Sequence, residues 1–326
     1  MCETEESREM KKAIEAIFIG GCERSGTTLL GSMIGNNSET ICVPEAKFII
    51  ELAKRYGGDL SGEYALEELV TRVESIPRFA TWDIEIDQII KAGEKVNLSK
   101  FVIMLVELYA KKKGKKEYRR WVDQTPWNVR YGMTLERLFP RAKYIHMVRD
   151  GRAVAASLLS ADWGVRTVKA AADRWVSQLS YGLALEQVMK TRCLRVRYED
   201  LVASPSKTME KVCAFADLEL EENMMDSRGA VPPSLTREDH RLIGGPIDVG
   251  RIDGWKGVLS DRDINSFESR TCDLLEMLGY ESLFGVSAIP STGLRRLLGD
   301  TEEFLFREVI YRYKNHSKLR KLKKAL

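Results

Sequence analysis

Short apolar runs alternate along the chain with stretches whose apolar residues recur every three to four positions. This is the pattern of a parallel sheet joined by crossover helices. Residues 16–20 form the first such run and open onto a glycine-rich turn, after which 28–34 reads as a helix. A second short strand spans 41–43 and is stopped by Pro44. Helical spacing then dominates 47–118, with Leu66, Leu69, Val70 and Val73 on one face. A buried strand is expected at 143–148, followed by an Asp150-Gly151 turn and a helix from about Ala153. A helix over 170–189 leads to a strand at 193–198 and a further helix from Ser206. Residues 221–255, with Pro232-Pro233 and Gly244-Gly245, carry few periodic apolar positions and read as a long loop of the kind that serves function. A helix near 263–278 closes the core, and from about Gly293 the chain is helical and basic. No repeat or linker interrupts this order, which predicts one α/β domain over 1–292 and a basic helical extension over 293–326.

Composition narrows the class. The 326 residues are 44% hydrophobic and 30% charged, an ordinary globular balance. No apolar run approaches the roughly 20 residues that cross a bilayer. The first residues are acidic and lack an apolar signal core, so a cytoplasmic protein is expected. A net charge of +3 excludes nucleic-acid binding by bulk charge. Six scattered cysteines without a C-x-x-C pair, and three histidines, predict reduced, packed thiols and no metal centre. The basic end (Lys314, Lys318, Arg320, Lys321, Lys323, Lys324) is either a solvated helix face or a contact for anionic lipid headgroups or a polyanionic acceptor.

The chemistry concentrates where the first strand meets the first helix. Gly21 and Gly26 bracket a turn whose backbone N–H groups can converge on one anion, beside the positive end of the helix that follows. Arg24 adds a bidentate cation, and Thr27 and Thr28 add hydroxyls. The spacing is that of a nucleotide P-loop, but Thr27 stands where such a loop has the lysine that reaches a γ-phosphate. A ligand ending in a 5′-phosphate or short anhydride is therefore favoured over ATP. A second anion site follows the strand at 143–148. Arg149 sits at its carboxyl end, and Ser157, two helical turns on, can fold back over that end. Two such sites suit a nucleotide phosphorylated at both its 5′ and 3′ carbons.

With Arg24-Ser-Gly-Thr-Thr28, the Arg149 and Ser157 pair, Arg197-Tyr-Glu-Asp200 and Gly254-Trp-Lys-Gly257, residues 14–285 resemble the sulfotransferase superfamily. The resemblance implies a three-layer, P-loop-like α/β fold and 3′-phosphoadenosine 5′-phosphosulfate (PAPS) as donor, with 3′-phosphoadenosine 5′-phosphate (PAP) as product and no metal. It implies that residues 24 to 28 hold the 5′-phosphosulfate, Arg149 and Ser157 the 3′-phosphate, and Tyr198 the adenine, with Trp255 and Lys256 covering the nucleotide. Where cytosolic members carry a Lys-Thr-His segment after a strand, this chain has Asp123-Gln-Thr-Pro-Trp127, with Gln124 at the lysine's place and Pro126 at the histidine's.

Another base is available. Glu45 lies twenty-one residues after Arg24, a spacing similar to that of tyrosylprotein and glycan sulfotransferases, in which a glutamate deprotonates the acceptor. A helix N-terminal carboxylate is the alternative. Ala161 replaces the further arginine of the tyrosylprotein enzymes. Lys47 reads as an acceptor contact or a surface lysine, His146 as a core residue, and Trp121, Trp127, Trp163 and Trp175 as core or pocket aromatics. The expected activity is sulfuryl transfer to a hydroxyl of a carbohydrate, peptide or natural product. The alternatives are a small-molecule kinase and a catalytically silent nucleotide-binding scaffold.

Overall fold

The computed structural model describes residues 14–57, 59–225, 247–290, 294–306 and 308, with backbone alone for 294–296. Five parallel strands form the central sheet: β1 (Glu15–Gly21), β2 (Thr40–Val43), β5 (Arg120–Asp123), β6 (Lys143–Val148) and β7 (Cys193–Arg197), in the order β2-β5-β1-β6-β7. Two shorter strands, β3 (Tyr64–Ala65) and β4 (Lys95–Val96), pair antiparallel outside it.

Alternate side chains of each strand feed opposite faces. Phe18, Ile41, Trp121 and Tyr144 enter one core, under helices α2 (Phe48–Arg55), α3 (Leu66–Glu74) and α4 (Leu98–Lys112). Ile17, Ile19, Val122, Ile145 and Val196 enter the other, against α1 (Thr27–Gly35), α8 (Tyr198–Ala203) and α9 (Pro205–Ala216). Phe18 anchors the first core, edge-on to Trp121 at 5.4 Å and stacked on Tyr144 at 5.8 Å. Between them in the chain come α5 (Gly132–Leu138), α6 (Gly151–Leu159) and α7 (Val168–Met189), and after them α10 (Asp261–Met277) and α11 (Leu294–Leu305).

The expected three-layer α/β architecture is present, with local corrections. Residues 47–118 are not uniformly helical. They contain the β3–β4 ribbon and single 3-10 turns at Pro77–Trp82 and Ile86–Ile89, and Gly57 and Gly93 take positive φ. Asp150 is the N-cap of α6, accepting from the Arg152 N–H at 2.8 Å, so that helix starts two residues earlier than its apolar spacing indicates. Tyr198 opens a helix instead of ending a strand. In the long loop, Val249–Arg251 and Gly254–Gly257 are short 3-10 turns. Pro232-Pro233, Gly244-Gly245 and the basic stretch from Lys314 lie outside the described residues.

The connection leaving β1 runs toward β2 on one side of the sheet, and the one leaving β6 runs toward β7 on the other. A crevice therefore opens between the carboxyl ends of β1 and β6, the switch point at which open α/β sheets bind ligands. Gly21 pairs in register with Met147, which sets the two strand ends level.

Candidate active site

The turn after β1 holds its shape by conformations that only certain residues adopt cheaply. Arg24 is left-handed at φ 71°, and Gly26 has φ 95°. A Cβ on Gly26 would stand 2.6 Å from Cδ2 of Tyr198, and one on Gly21 would stand 2.3 Å from the Met147 carbonyl oxygen. Both glycines are thus required by close approach as well as by backbone angle. Gly26 caps α1 without a side-chain hydrogen bond, so the first N–H groups of that helix remain available to an anion. Ser25 is buried, and its hydroxyl finds no protein partner. Thr27 and Thr28 line the cleft above.

The second anion motif meets the first directly. Arg24 Nε donates to Ser157 Oγ at 2.8 Å, and Arg149 Nη1 donates to the Arg24 carbonyl at 2.9 Å. Arg149 Nη2 donates to the Arg251 carbonyl at 3.0 Å, and its guanidinium lies 4.0 Å over the Tyr198 ring. Burial pulls the Arg149 pKa down from its ordinary value, offset in part by Tyr198, Glu199 and Asp150. Its Nε has no protein partner. Arg24, Arg149, Ser157, Tyr198 and Trp255 all line one cleft of about 1360 Å³. The sequence motifs are therefore two ends of one site.

Glu45 lines the same cleft, in the turn between β2 and α2. It lies three residues ahead of α2 and does not cap that helix. Its Oε2 is 2.9 Å from Lys47 Nζ and 3.2 Å from Arg78 Nη1. The turn is held by a residue to which the sequence alone assigned no role. Asp123, at the end of β5, is buried and accepts from the Ala46 N–H at 3.2 Å, the Thr125 hydroxyl at 2.6 Å, the Thr125 N–H at 3.0 Å and Asn128 Nδ2 at 3.2 Å. One carboxylate thus ties the turn bearing Glu45 to the segment bearing Trp127.

Burial pushes Asp123 up to about 6, against the hydrogen bonds that favour its charged form. Between the ordinary aspartate value and about 6, the folded chain holds a proton that the unfolded chain has released. This group therefore adds stability as pH falls through that window, and the contribution is lost above it. Asp123→Asn cannot titrate. The melting temperature of the native chain should accordingly pull further ahead of the variant's as pH drops from about 6.5 to about 4, as scanning calorimetry across that range would show. A constant difference would mean that Asp123 is not the titrating group.

Other assignments divide. Pro126 and Trp127 line the cleft, with the Trp127 indole donating to Glu23 Oε1 at 2.8 Å and Lys47 Nζ 5.4 Å from its ring. Trp163 lines the cleft too, whereas Trp121 and Trp175 are core. Gln124 is buried and packs toward Gly31 instead of facing the cleft. Trp255 is buried beneath Arg152, 4.3 Å from its guanidinium. Lys256 stands beside it as expected, its Nζ 5.8 Å from the Trp255 ring, but pairs with Asp253 at 2.8 Å and is not among the residues lining the cleft. His146 is a core residue, its Nδ1 2.6 Å from Glu186. Arg78 and the Arg251 carbonyl escaped sequence reading because nothing local marks them. Asp123 carried one signal: an aspartate two residues before a threonine can close a local side-chain turn.

The profile of the Sulfotransferase family matches residues 16–222. The chain is 23% identical over 278 residues to protein-tyrosine sulfotransferase A of Caenorhabditis elegans, covering 81% of this chain and 67% of the relative. It is 26% identical over 284 residues to protein-tyrosine sulfotransferase 2 of Gallus gallus, covering 83% and 70%. The fold is similar to that of the sulfotransferase domain from the Synechococcus PCC 7002 olefin synthase (TM-score 0.60, 22% identity, 83% of this chain and 96% of that one). It is also similar to the sulfotransferase domain of the curacin biosynthetic pathway (TM-score 0.57, 22% identity, 83% and 99%). Two strand-end motifs joined at one switch-point crevice and a family match over most of the sheet lead to one conclusion: this chain belongs to the sulfotransferase family.

Proposed function

We propose that this sulfotransferase takes its sulfuryl group from PAPS and passes it to a hydroxyl acceptor, with Glu45 as base. One observation carries the donor reading: Arg149 donates to the backbone of Arg24 while Arg24 reaches Ser157. Cradles for a 5′ and a 3′ phosphate therefore lie within one nucleoside's reach. The fit rests on the orphaned buried Ser25 hydroxyl, the orphaned Arg149 Nε and the uncapped start of α1. When bound, the donor supplies an activated sulfuryl group on a phosphosulfate anhydride.

The chain's own groups do the rest. Residues 24 to 28 hold the 5′ end and meet charge growing on the peripheral and leaving oxygens. Arg149 and Ser157 hold the 3′-phosphate, and Tyr198 and Trp255 give the nucleoside aromatic walls. Glu45 takes the acceptor's proton, and Lys47 and Arg78 beside it neutralise charge on the acceptor side. Neither Gln124, turned into the core, nor Lys256, turned to Asp253, is given a role. The cations Lys47, Arg78 and Arg130, which line the cleft with Glu45, favour an acceptor that is itself anionic, and the likeness to protein-tyrosine sulfotransferases makes an acidic tyrosine peptide the first to test. Thr27 in the P-loop lysine's position speaks against a kinase.

Calorimetry with PAP, AMP and ATP tests the donor. PAP should bind at least tenfold more tightly than AMP, and Arg149→Ala should remove most of that margin while leaving AMP affinity nearly unchanged. Equal affinity of the native chain for PAP and AMP would remove the 3′-phosphate site.

A further inference from the structure

Helix α11 lies against the body with its polar side inward. Arg166 N–H donates to Glu303 Oε2 at 2.8 Å, and Asp300 pairs with Lys169 at 3.1 Å. Gly299 sits close to Thr167, and Phe306 is buried under the Arg166 guanidinium at 3.8 Å. The opposite side is apolar and open: Leu297 is 65% exposed, Leu298 59%, Phe304 62% and Leu305 50%. At 100° per residue these four, with Thr301 among them, share one arc roughly opposite that of Gly299, Glu303 and Phe306. The other amphipathic helices do the reverse; α3 buries Leu66, Leu69, Val70 and Val73.

What covers this stripe is indicated by the sequence that follows. Residues 309–326 carry seven Lys or Arg and no Asp or Glu. A second copy of the chain would satisfy the leucines but set seven cations against seven. A soluble polyanion would satisfy the cations and leave the leucines in water. An anionic lipid surface satisfies both, and an apolar helical stripe with adjoining basic residues is the composition such surfaces bind. Among the described residues no helix is long and apolar enough to cross a membrane, so the arrangement suits lying on a bilayer rather than spanning it.

We propose that α11 and the basic stretch after it seat this protein on an anionic membrane surface, with Leu297, Leu298, Phe304 and Leu305 entering the headgroup boundary. The inward side of the same helix contributes Asp300 and Glu303 to the cleft, and Phe306 and Glu308, just past its end, line it as well. Seating the protein therefore brings the cleft to within about 10 Å, one helix diameter, of the lipid. This inference is independent of the donor.

Vesicle flotation of the full chain tests it, with phosphatidylcholine alone and with about 30 mol% phosphatidylserine. The native chain should float with the anionic vesicles. The L298E/F304E variant should lose at least tenfold of that binding, and the L297S/L305S variant should lose it in the same direction. Both should keep native PAP affinity, because the altered side chains face away from the body. Undiminished flotation of both variants, or no flotation of the native chain, overturns the proposal. Self-association of the native chain in sedimentation velocity, abolished in both variants without any lipid binding, would assign the stripe to a second copy and overturn it equally.

Discussion

Glu45→Gln should lower sulfuryl transfer by about 100-fold or more at neutral pH while leaving PAP affinity within about twofold. The substitution is nearly isosteric, and the amide oxygen can still accept from Lys47 and Arg78, which now contact Oε2 at 2.9 and 3.2 Å. Only the capacity to take a proton is removed. The turn itself is held from below by Asp123 through the Ala46 N–H, and the substitution does not touch that bond. Turnover and PAP titration on the same preparation therefore separate chemistry from binding. Turnover equal to that of the native chain would take Glu45 out of the mechanism and leave Lys47 and Arg78 as acceptor contacts alone.

Arg24→Ala should be at least as damaging, with a loss of about 10²- to 10³-fold in transfer. The same loss should appear in the slow release of sulfate from PAPS to water. Arg24 sits where both cradles join: its carbonyl accepts from Arg149 and its Nε reaches Ser157. The carbonyl bond survives truncation, because alanine keeps the backbone, so the variant isolates the guanidinium. Donor hydrolysis by the native chain that vanishes in the variant would dispose of a silent scaffold. Equal hydrolysis by both proteins would show that the guanidinium does not face the reacting group.

Much of this fold was legible because its signals are local. The glycines at 21 and 26, the apolar run before them and the helix after them specify a strand–turn–helix whose backbone amides converge, whatever surrounds it. The run at 143–148 followed by Arg149 is equally self-contained. Strand β5 left a weaker trace: Trp121 and Val122 lie between charged neighbours, and only resemblance to a family implied a strand there. The β3–β4 ribbon left less still, because two-residue strands carry no period to detect. Lys256 shows the limit in the other direction, since a motif match gives no sign that an aspartate three residues earlier pairs with it.

Family resemblance singled out Glu45; by itself, the sequence determined the class of sheet and the two arginine-bearing motifs at strand ends. Each depends on backbone geometry and spacing within a dozen or so residues. Tertiary structure alone decided that Arg149 would clasp the backbone of Arg24, that Asp123 would anchor the turn bearing Glu45, that Arg78 would join that carboxylate, and that α11 would present its leucines outward. These are contacts between residues separated by 33 to 137 positions. They form only when strand order and helix packing bring distant segments together, and no local period or propensity encodes that choice of neighbour.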